Sequence, residues 1–450
     1  MIKEILKADS IIKDLGGGLI LRRATVEDTD ELASFNAQVH SDDELDAERV
    51  SAWTRDLMEK PHPTFGVGDF TIVEDTASSK IVSSLNLISQ TWSYSGTHFG
   101  VGRPELVGTL PEYRNRGLVR AQFEVVHQWS AERGELVQAI TGIPFYYRQF
   151  GYEMGLTLGG GRTGFKSNVP LLKESEQEPY IIRPASESDV EFIAQLFNLA
   201  SHRYLVNCVW DENLWRYELS GKSPKNVNRM ELHMIDTLAG EHVGFLAHPI
   251  MVWGPSMGVT IYEVKPGTSW SAVTPTVVRY LYRTGEAYAA RDHKQDKFAG
   301  FTFGLGNEHP VYQVLHDSLP LNNKPYAWYI RVPDLPGFLR HIAPTLEKRL
   351  SFSLLAGHSG VLMLTFYLSG LRMVFERGKL ATVEAWKPNP QGHSGDAAFP
   401  DLTFLQLLFG YRSLDELKYA FADCWYGSDE VYALLNALFP KQSSDVLAIS

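Results

Sequence analysis

Apolar residues return every three or four positions from Leu118 through Ala121 and Val125 to Trp129, and Gly134 ends the run. That spacing predicts a helix. Ahead of it Leu106 and Val107 close a β-like run, which Pro111, lacking an N–H, cannot continue. Behind it Leu136 to Ile140 reads as a short strand, and Gly142 with Pro144 opens another turn. Glu105 to Tyr152 is therefore strand, turn, helix, strand and short helix, and the rest of the chain is organised around it.

An earlier pattern occurs twice. Ile20 to Asp28 reads as a strand turning into a helix, with a T-x-x-D capping pair, Thr25 and Asp28, before Leu32 and Phe35. At a shift of 161 positions, Leu21, Arg22, Ala24, Asp28, Leu32 and Phe35 fall on Ile182, Arg183, Ala185, Asp189, Ile193 and Leu196. Two α/β units on one plan are expected. Pro310 to Leu315 echoes PFYYRQF and sets Tyr312 opposite Tyr147. The second unit has no counterpart of the Arg114–Gly117 turn; Thr274-Pro275-Thr276 is expected there ahead of its helix. It should wall the substrate site without holding a cofactor.

Ser41 and Glu44 form a capping box that accounts for the acid cluster Asp42, Asp43, Glu44, Asp46 and Glu48, with a cation-attracting rim as the alternative. Ile81 to Ile88 reads as a strand. Gln90 to Gly100 reads as a loop whose Trp92, Tyr94 and Phe99 either pack beneath it or line an amine pocket. Polar Lys166 to Pro179 is a linker. Beyond Pro333 and Pro336, Phe338–Leu346 looks helical, and Ser359–Val374 and Lys379–Trp386 look like strands. A loop over Lys387–Asp401 precedes helical patterns at Leu402–Phe409, Leu414–Phe421 and Glu430–Leu438. The expected blocks are 1–165, a linker 166–179, 180–335 and an α+β block 336–450.

Composition narrows the class. A chain of 450 residues is long for one core, and 44% apolar with 21% charged residues is the balance of a soluble globular protein. No apolar run approaches the roughly 18 residues that span a bilayer. The N-terminus interleaves charge with apolar residues, as in an amphipathic helix or a tail and unlike a secretory segment. Cys208 and Cys424, far apart, exclude a disulfide framework or a cysteine-rich metal site and fit a reducing cytoplasm. A net charge of −11 argues against nucleic acid or anionic membrane and suits a cationic small substrate, although acidity also serves solubility.

The chemistry enters where the central helix begins. Free N–H groups at a helix start bind phosphate, Gly117 lets a ligand approach, and Arg114, Arg116 and Arg120 add charge. Neither a P-loop nor a strand-linked GxGxxG is present. Arg114-x-x-Gly117-x-Val119 resembles the acetyl-CoA signature Q/R-x-x-G-x-G/A of the GCN5-related N-acetyltransferases (GNAT), with Val119 departing from the usual Gly or Ala.

Two such units with a third block, carrying VGTLPEYRNRGLVRA, GIPFYYRQFGYE, LTFLQLLFGYRSLDEL and ALFPK, resemble the Enhanced intracellular survival (Eis) family of N-acetyltransferases along nearly the whole chain. The resemblance implies tandem GNAT folds, each a mixed twisted sheet flanked by helices, followed by a sterol-carrier-protein-like α+β domain. It implies acetyl-CoA as co-substrate, with no metal. Its pantetheine would lie along Val107-Gly108-Thr109 and its pyrophosphate on Asn115, Arg116, Gly117, Leu118, Val119 and Arg120, with Gly142 and Ile143 touching from the next strand. It implies Tyr147 as general acid, Tyr146 in reserve, and the C-terminal carboxylate of Ser450 as general base, where Glu105 or a water would be the alternative. A phenol of pKa ~10 can protonate a thiolate of pKa ~8.5 when the site strengthens the contact. An aminoglycoside acceptor and a hexamer are further implications. Acetylation of a protein lysine or a polyamine, and lipid binding in the third block with vestigial GNAT units, are the competing readings.

Overall fold

The computed structural model describes residues 10–389 and 395–448. The first unit runs β1 (Ile11–Gly16), β2 (Leu19–Arg23), α1 (Thr29–His40), α2 (Glu44–Glu59), β3 (Phe70–Asp75), β4 (Lys80–Tyr94), β5 (Thr97–Thr109), α3 (Leu118–Glu132), β6 (Val137–Ile140), a 3-10 turn (Tyr146–Phe150), β7 (Glu153–Leu158) and β8 (Gly161–Phe165). The second runs β9 (Tyr180–Pro184), α4 (Val190–Ser201), β10 (Val206–Cys208), α5 (Glu212–Arg216), β11 (Met230–Thr237), β12 (His242–Pro249), β13 (Ser256–Val259), β14 (Ile261–Val264), α6 (Trp270–Arg291), β15 (Gly300–Phe303), α7 (Val311–Val314), β16 (Leu321–Asn323) and β17 (Tyr326–Arg331). The last block holds α8 (Leu335–His341), α9 (Ala343–Ser351), β18 (Gly360–Thr365), β19 (Gly370–Glu376), β20 (Lys379–Trp386), β21 (Ala397–Ala398), α10 (Phe404–Leu408), α11 (Leu414–Ala420), β22 (Trp425–Tyr426) and α12 (Asp429–Leu438). The fold class is mixed α/β, twisted sheets flanked by helices.

The repeated text is a repeated ion cluster. Arg22 donates through Nη1 and Nη2 to Asp28 at 2.8 and 2.7 Å and through Nε to Glu74 at 2.8 Å. Arg183 does the same to Asp189, at 2.8 Å twice, and to Asp236 at 2.7 Å. Asp28 also accepts the Thr25 N–H at 2.8 Å, and Asp189 that of Ser186 at 2.7 Å. Each cluster therefore ties an opening strand, the turn into the first helix and a neighbouring strand together.

The two units also exchange their last strands. In the large sheet the order is β1-β2-β3-β4-β5-β6-β17-β7, so β17 from the second unit lies between two strands of the first. In the sheet β13-β15-β8-β16, β8 from the first unit lies between two strands of the second. The backbones pass so closely there that a Cβ on Gly300 would lie 2.1 Å from the Gly164 carbonyl. Only glycine fits that crossing.

Several local expectations are corrected. Residues 1–9 lie outside the described residues, and Ile11–Gly16 is a strand, β1, paired with β2. Gln90–Gly100 is no loop: β4 and β5 form one long hairpin turning at Ser95-Gly96. Trp92, Tyr94 and Phe99 are buried and cannot form an amine pocket, and the Tyr94 hydroxyl donates to the Leu408 carbonyl at 2.7 Å. The cap of α2 is Asp43, accepting from the Asp46 N–H, two residues beyond Ser41. Pro275 sits inside α6, which starts at Trp270, so the helix forgoes there the bond that an N–H at this position would have made to the Ser271 carbonyl. Phe338–Leu346 is split between α8 and α9.

Arg22 is 1% exposed, so replacing it by Met strands two buried carboxylates. Arg22→Met should cost about 3–5 kcal/mol at pH 7, read as a lowered urea midpoint. Burial alone would raise the Asp28 carboxyl, but hydrogen bonds from Arg22 hold it below the ordinary range. A depressed carboxyl stabilises the fold above its unfolded pKa of about 4 and loses that contribution as pH falls through its native value. The midpoints of wild type and Arg22→Met should therefore converge in acid.

Candidate active site

Strand β5 sets where chemistry can happen. Its register against β4 slips between Ser84↔Gly108 and Asn86↔Glu105, and Leu106 takes φ +52°. Such a bulge bends a strand and re-aims the residues beyond it. On its other edge β5 pairs with parallel β6 only at Val101↔Val137 and Gly102↔Gln138. Beyond Gly102 the strands part. Val107, Gly108 and Thr109 line a cleft of about 830 Å³, together with Asn115, Gly117, Leu118, Val119, Arg120, Ile143 and Tyr147.

The cleft is closed by the turn into α3. Asn115 at φ +62° and Gly117 at φ +76° reverse the chain, and open space stands in front of Gly117, with nothing within 4 Å of where its Cβ would be. No side chain caps α3, so its first amides remain available at the positive end of the helix dipole. Arg120 stands at the rim, donating to Gln149 at 2.9 Å and lying over Phe150 at 5.1 Å. Arg116 turns elsewhere, over the ring of Tyr113 at 4.9 Å, with a hydrogen bond to the Glu112 carbonyl at 3.3 Å. Uncapped amides, the guanidinium groups of Arg114 and Arg120 and an unpaired strand edge together fit a nucleotide diphosphate with an amide-bearing arm.

Tyr147 stands at the opposite wall, in the short turn after β6. It is 4% exposed, and its ring packs on Phe123, Tyr152 and Tyr329 at centroid distances of 6.0, 6.4 and 5.7 Å. Gly142 backs it, with the hydroxyl 3.4 Å from where a Cβ would be. Among the described residues that hydroxyl has no hydrogen-bond partner. Burial, reinforced by the charge of Glu105, pushes its pKa well above the ordinary phenol value, so it carries its proton. Tyr146 is half-buried, and burial raises its phenol too.

Glu105 forms an ion pair with Arg103, and its charge also reaches His40. Burial lowers the pKa of His40, leaving its ring neutral at the cleft wall. His127 is satisfied in the core, its Nε2 2.8 Å from the Tyr152 hydroxyl and burial pushing it down to about 3. Ser450 lies outside the described residues. The segment leading to it is docked: Leu205 N–H donates to the Ser443 carbonyl at 2.8 Å, Asp445 N–H to the Val206 carbonyl at 2.9 Å, and Val446 is buried.

Sequence reasoning missed Val39, His40, Tyr113, Gln149 and Phe150 in the cleft wall, and Tyr326 and Tyr329 beside it. Tyr113, Gln149 and Phe150 lie inside the two quoted motifs, which assign them no contact, and Val39 and His40 sit at the end of a helix with no motif to mark them. The last two arrive through the strand exchange.

The second unit is built differently here, its strand β14 standing at the edge of its sheet beside β12 and leading into α6. There the strand corresponding to β5 is broken at Thr260 into β13 and β14, and β13 pairs with parallel β15 along four residues, Ser256↔Gly300 to Val259↔Phe303. Trp270 covers the helix start, packed on Tyr262 at 5.0 Å and His309 at 5.3 Å.

A family model described as an acetyltransferase (GNAT) domain matches residues 21–155, the span from β2 through the Tyr147 turn into β7. The chain carries a GNAT acetyltransferase domain. It is, on that domain, an acetyltransferase. No curated protein sequence matches the chain. Three similar solved structures share the fold. One is a probable N-acyltransferase from Enterococcus faecalis V583, 14% identical at TM-score 0.65, covering 96% of this chain and 99% of that one. Another is a GCN5-related N-acetyltransferase from Kribbella flavida, 18% identical at TM-score 0.63, covering 96% and 98%. A third is Eis1 from Mycobacterium abscessus, 12% identical at TM-score 0.56, covering 95% and 99%. Among the described residues no helix is long and apolar enough to cross a membrane.

Gly117→Val places a branched side chain at a left-handed position in front of the GNAT helix. Coenzyme A affinity, measured by calorimetry, should weaken by about tenfold, because a turn that relaxes when empty must regain the left-handed conformation on binding, at about 1–2 kcal/mol. An unchanged Kd would show that the diphosphate sits elsewhere.

Proposed function

We propose that this enzyme moves an acetyl group from acetyl-CoA to a primary amine of a cationic small molecule, an aminoglycoside being the named candidate, by direct attack in a ternary complex. The observation that carries the reading is the buried, proton-bearing Tyr147 hydroxyl, without a protein partner among the described residues, across the cleft from the free end of β5. In this reading the edge of β5 left without a strand partner at Val107–Thr109 holds the pantetheine arm as an added strand. The amides of Leu118, Val119 and Arg120 take the diphosphate.

The amine nitrogen bonds to the thioester carbon, and the C–S bond breaks. Tyr147 gives its proton to the departing thiolate, and the proton leaving the amine goes to the Ser450 carboxylate. An α-carboxylate of pKa ~3.5 is ionised at neutral pH and able to accept it. Docking of the tail through Val446 supports a role for that chain end. Glu105, already engaged by Arg103, is the weaker base. The net charge of −11 and the exposed acids Asp42 and Glu44 favour a cationic acceptor.

The same reading takes 1–165 as the catalytic unit, 180–335 as the degenerate unit and 336–450 as a sterol-carrier-protein-like block. It extends to an Eis-like hexamer working in the cytoplasm.

The test is thiol release from acetyl-CoA against a panel of aminoglycosides, polyamines and lysine peptides. Tyr147→Phe should lower kcat by about 10²–10⁴ with acetyl-CoA affinity retained. A chain ending at Ile449 still has a carboxylate, but one residue short, and should lose rate as well. Undiminished turnover by Tyr147→Phe removes it as the acid, and undiminished turnover by the shortened chain moves the base elsewhere.

A further inference from the structure

The Tyr147 turn is held from outside its own unit. Phe145, the residue from which the turn starts, sits at φ +66°, a left-handed conformation that a bulky side chain rarely adopts, and its ring is 72% exposed. The Arg148 guanidinium lies over that ring at 5.2 Å. The Phe145 N–H donates to the hydroxyl of Tyr329 at 2.5 Å. Tyr329 is fully buried on β17, facing Ile140 of β6 on one side and Met154 of β7 on the other, and its ring meets that of Tyr147 edge-on.

The second unit supplies an internal comparison. Tyr312, opposite Tyr147 in the repeat, is equally buried, but its hydroxyl serves its own loop. It donates to the Phe303 carbonyl at 2.8 Å and accepts the Leu305 N–H at 3.3 Å. In the first unit a hydroxyl from another strand binds the loop backbone, and the Tyr147 hydroxyl bonds to none of the described residues.

We propose that Tyr329, delivered by the exchanged strand of the second unit, is a positioning residue for Tyr147, so that acetyl transfer in the first unit depends on the second. This rests on the reading of Tyr147 as the acid. Tyr329 touches neither substrate. Its hydroxyl fixes the Phe145 peptide, and through it the direction of the phenol beside it. A loop freed of that bond spends part of its time with the phenol misdirected, which lowers the rate of thiolate protonation and leaves the diphosphate cradle, on α3, unchanged.

The experiment is a double-mutant cycle on the full chain with Tyr147→Phe, Tyr329→Phe and both. For each variant the readouts are kcat with the best amine of the panel, acetyl-CoA affinity by calorimetry, and Tm. Tyr329→Phe keeps the ring and should lower kcat by about threefold to tenfold, the usual weight of one internal hydrogen bond, with affinity unchanged and Tm lowered by no more than a few degrees. In the double variant the Tyr329 substitution should have no further effect, because there is no phenol left to position; the rate should match Tyr147→Phe within about twofold. A normal kcat in Tyr329→Phe, a collapse of its Tm, or effects that multiply in the double variant would each overturn the proposal. Failure of the acid assignment shows separately, as a normal rate in Tyr147→Phe, and would end the positioning role with it. Absence of turnover by wild type with every amine would overturn both.

Discussion

A β-strand whose neighbour departs is left with amides and carbonyls that need partners. β5 keeps β6 beside it for two residues and then loses it, and this loss is what the site is made from. The bulge at Leu106 keeps the strand attached to β4 while turning its free edge outward. The separating strands leave a wedge, and α3 starts at the mouth of that wedge with its own first amides unbonded. Two sets of unsatisfied backbone donors thus converge on one cleft, where burying them without a ligand or water would be costly. The second unit keeps the plan with a break in that strand: β13 is paired along four residues, β14 stands at a sheet edge, and Trp270 packs over the helix start.

The ion clusters explain how two copies keep one plan with little shared sequence. Arg22 and Arg183 each join the opening strand, the first helix and a neighbouring strand, so each unit's sheet and helix are set at a fixed angle before any apolar packing is counted. Their settings differ, since Arg22 is nearly sealed while Arg183 is partly open to water. Removing a sealed arginine is the more damaging change, since the carboxylates left behind have no solvent to turn to.

Legibility in the sequence tracks the range of the interactions. The strand–turn–helix around Gly117, the repeat at Arg22 and Arg183, the strand Lys379–Trp386 and the helix opened by Ser413 are local events written in adjacent residues, and they are readable there. The hairpin through Trp92 and Tyr94 reads as a loop because its text is polar and aromatic, while its burial comes from Phe338 and Phe409, which lie far along the chain. His40 carries no motif, and becomes part of the cleft only because α1 ends against the bulge. Tyr329 is out of reach altogether, since nothing near residue 329 announces that its strand belongs to another unit's sheet.

That crossing of strands has a bearing on ancestry. Two copies in tandem are ordinarily free to drift, be lost or be traded separately. Here each copy closes its sheet with the other's last ribbon, as two clasped hands do. Once the clasp had formed, neither copy could be deleted without tearing open its sibling.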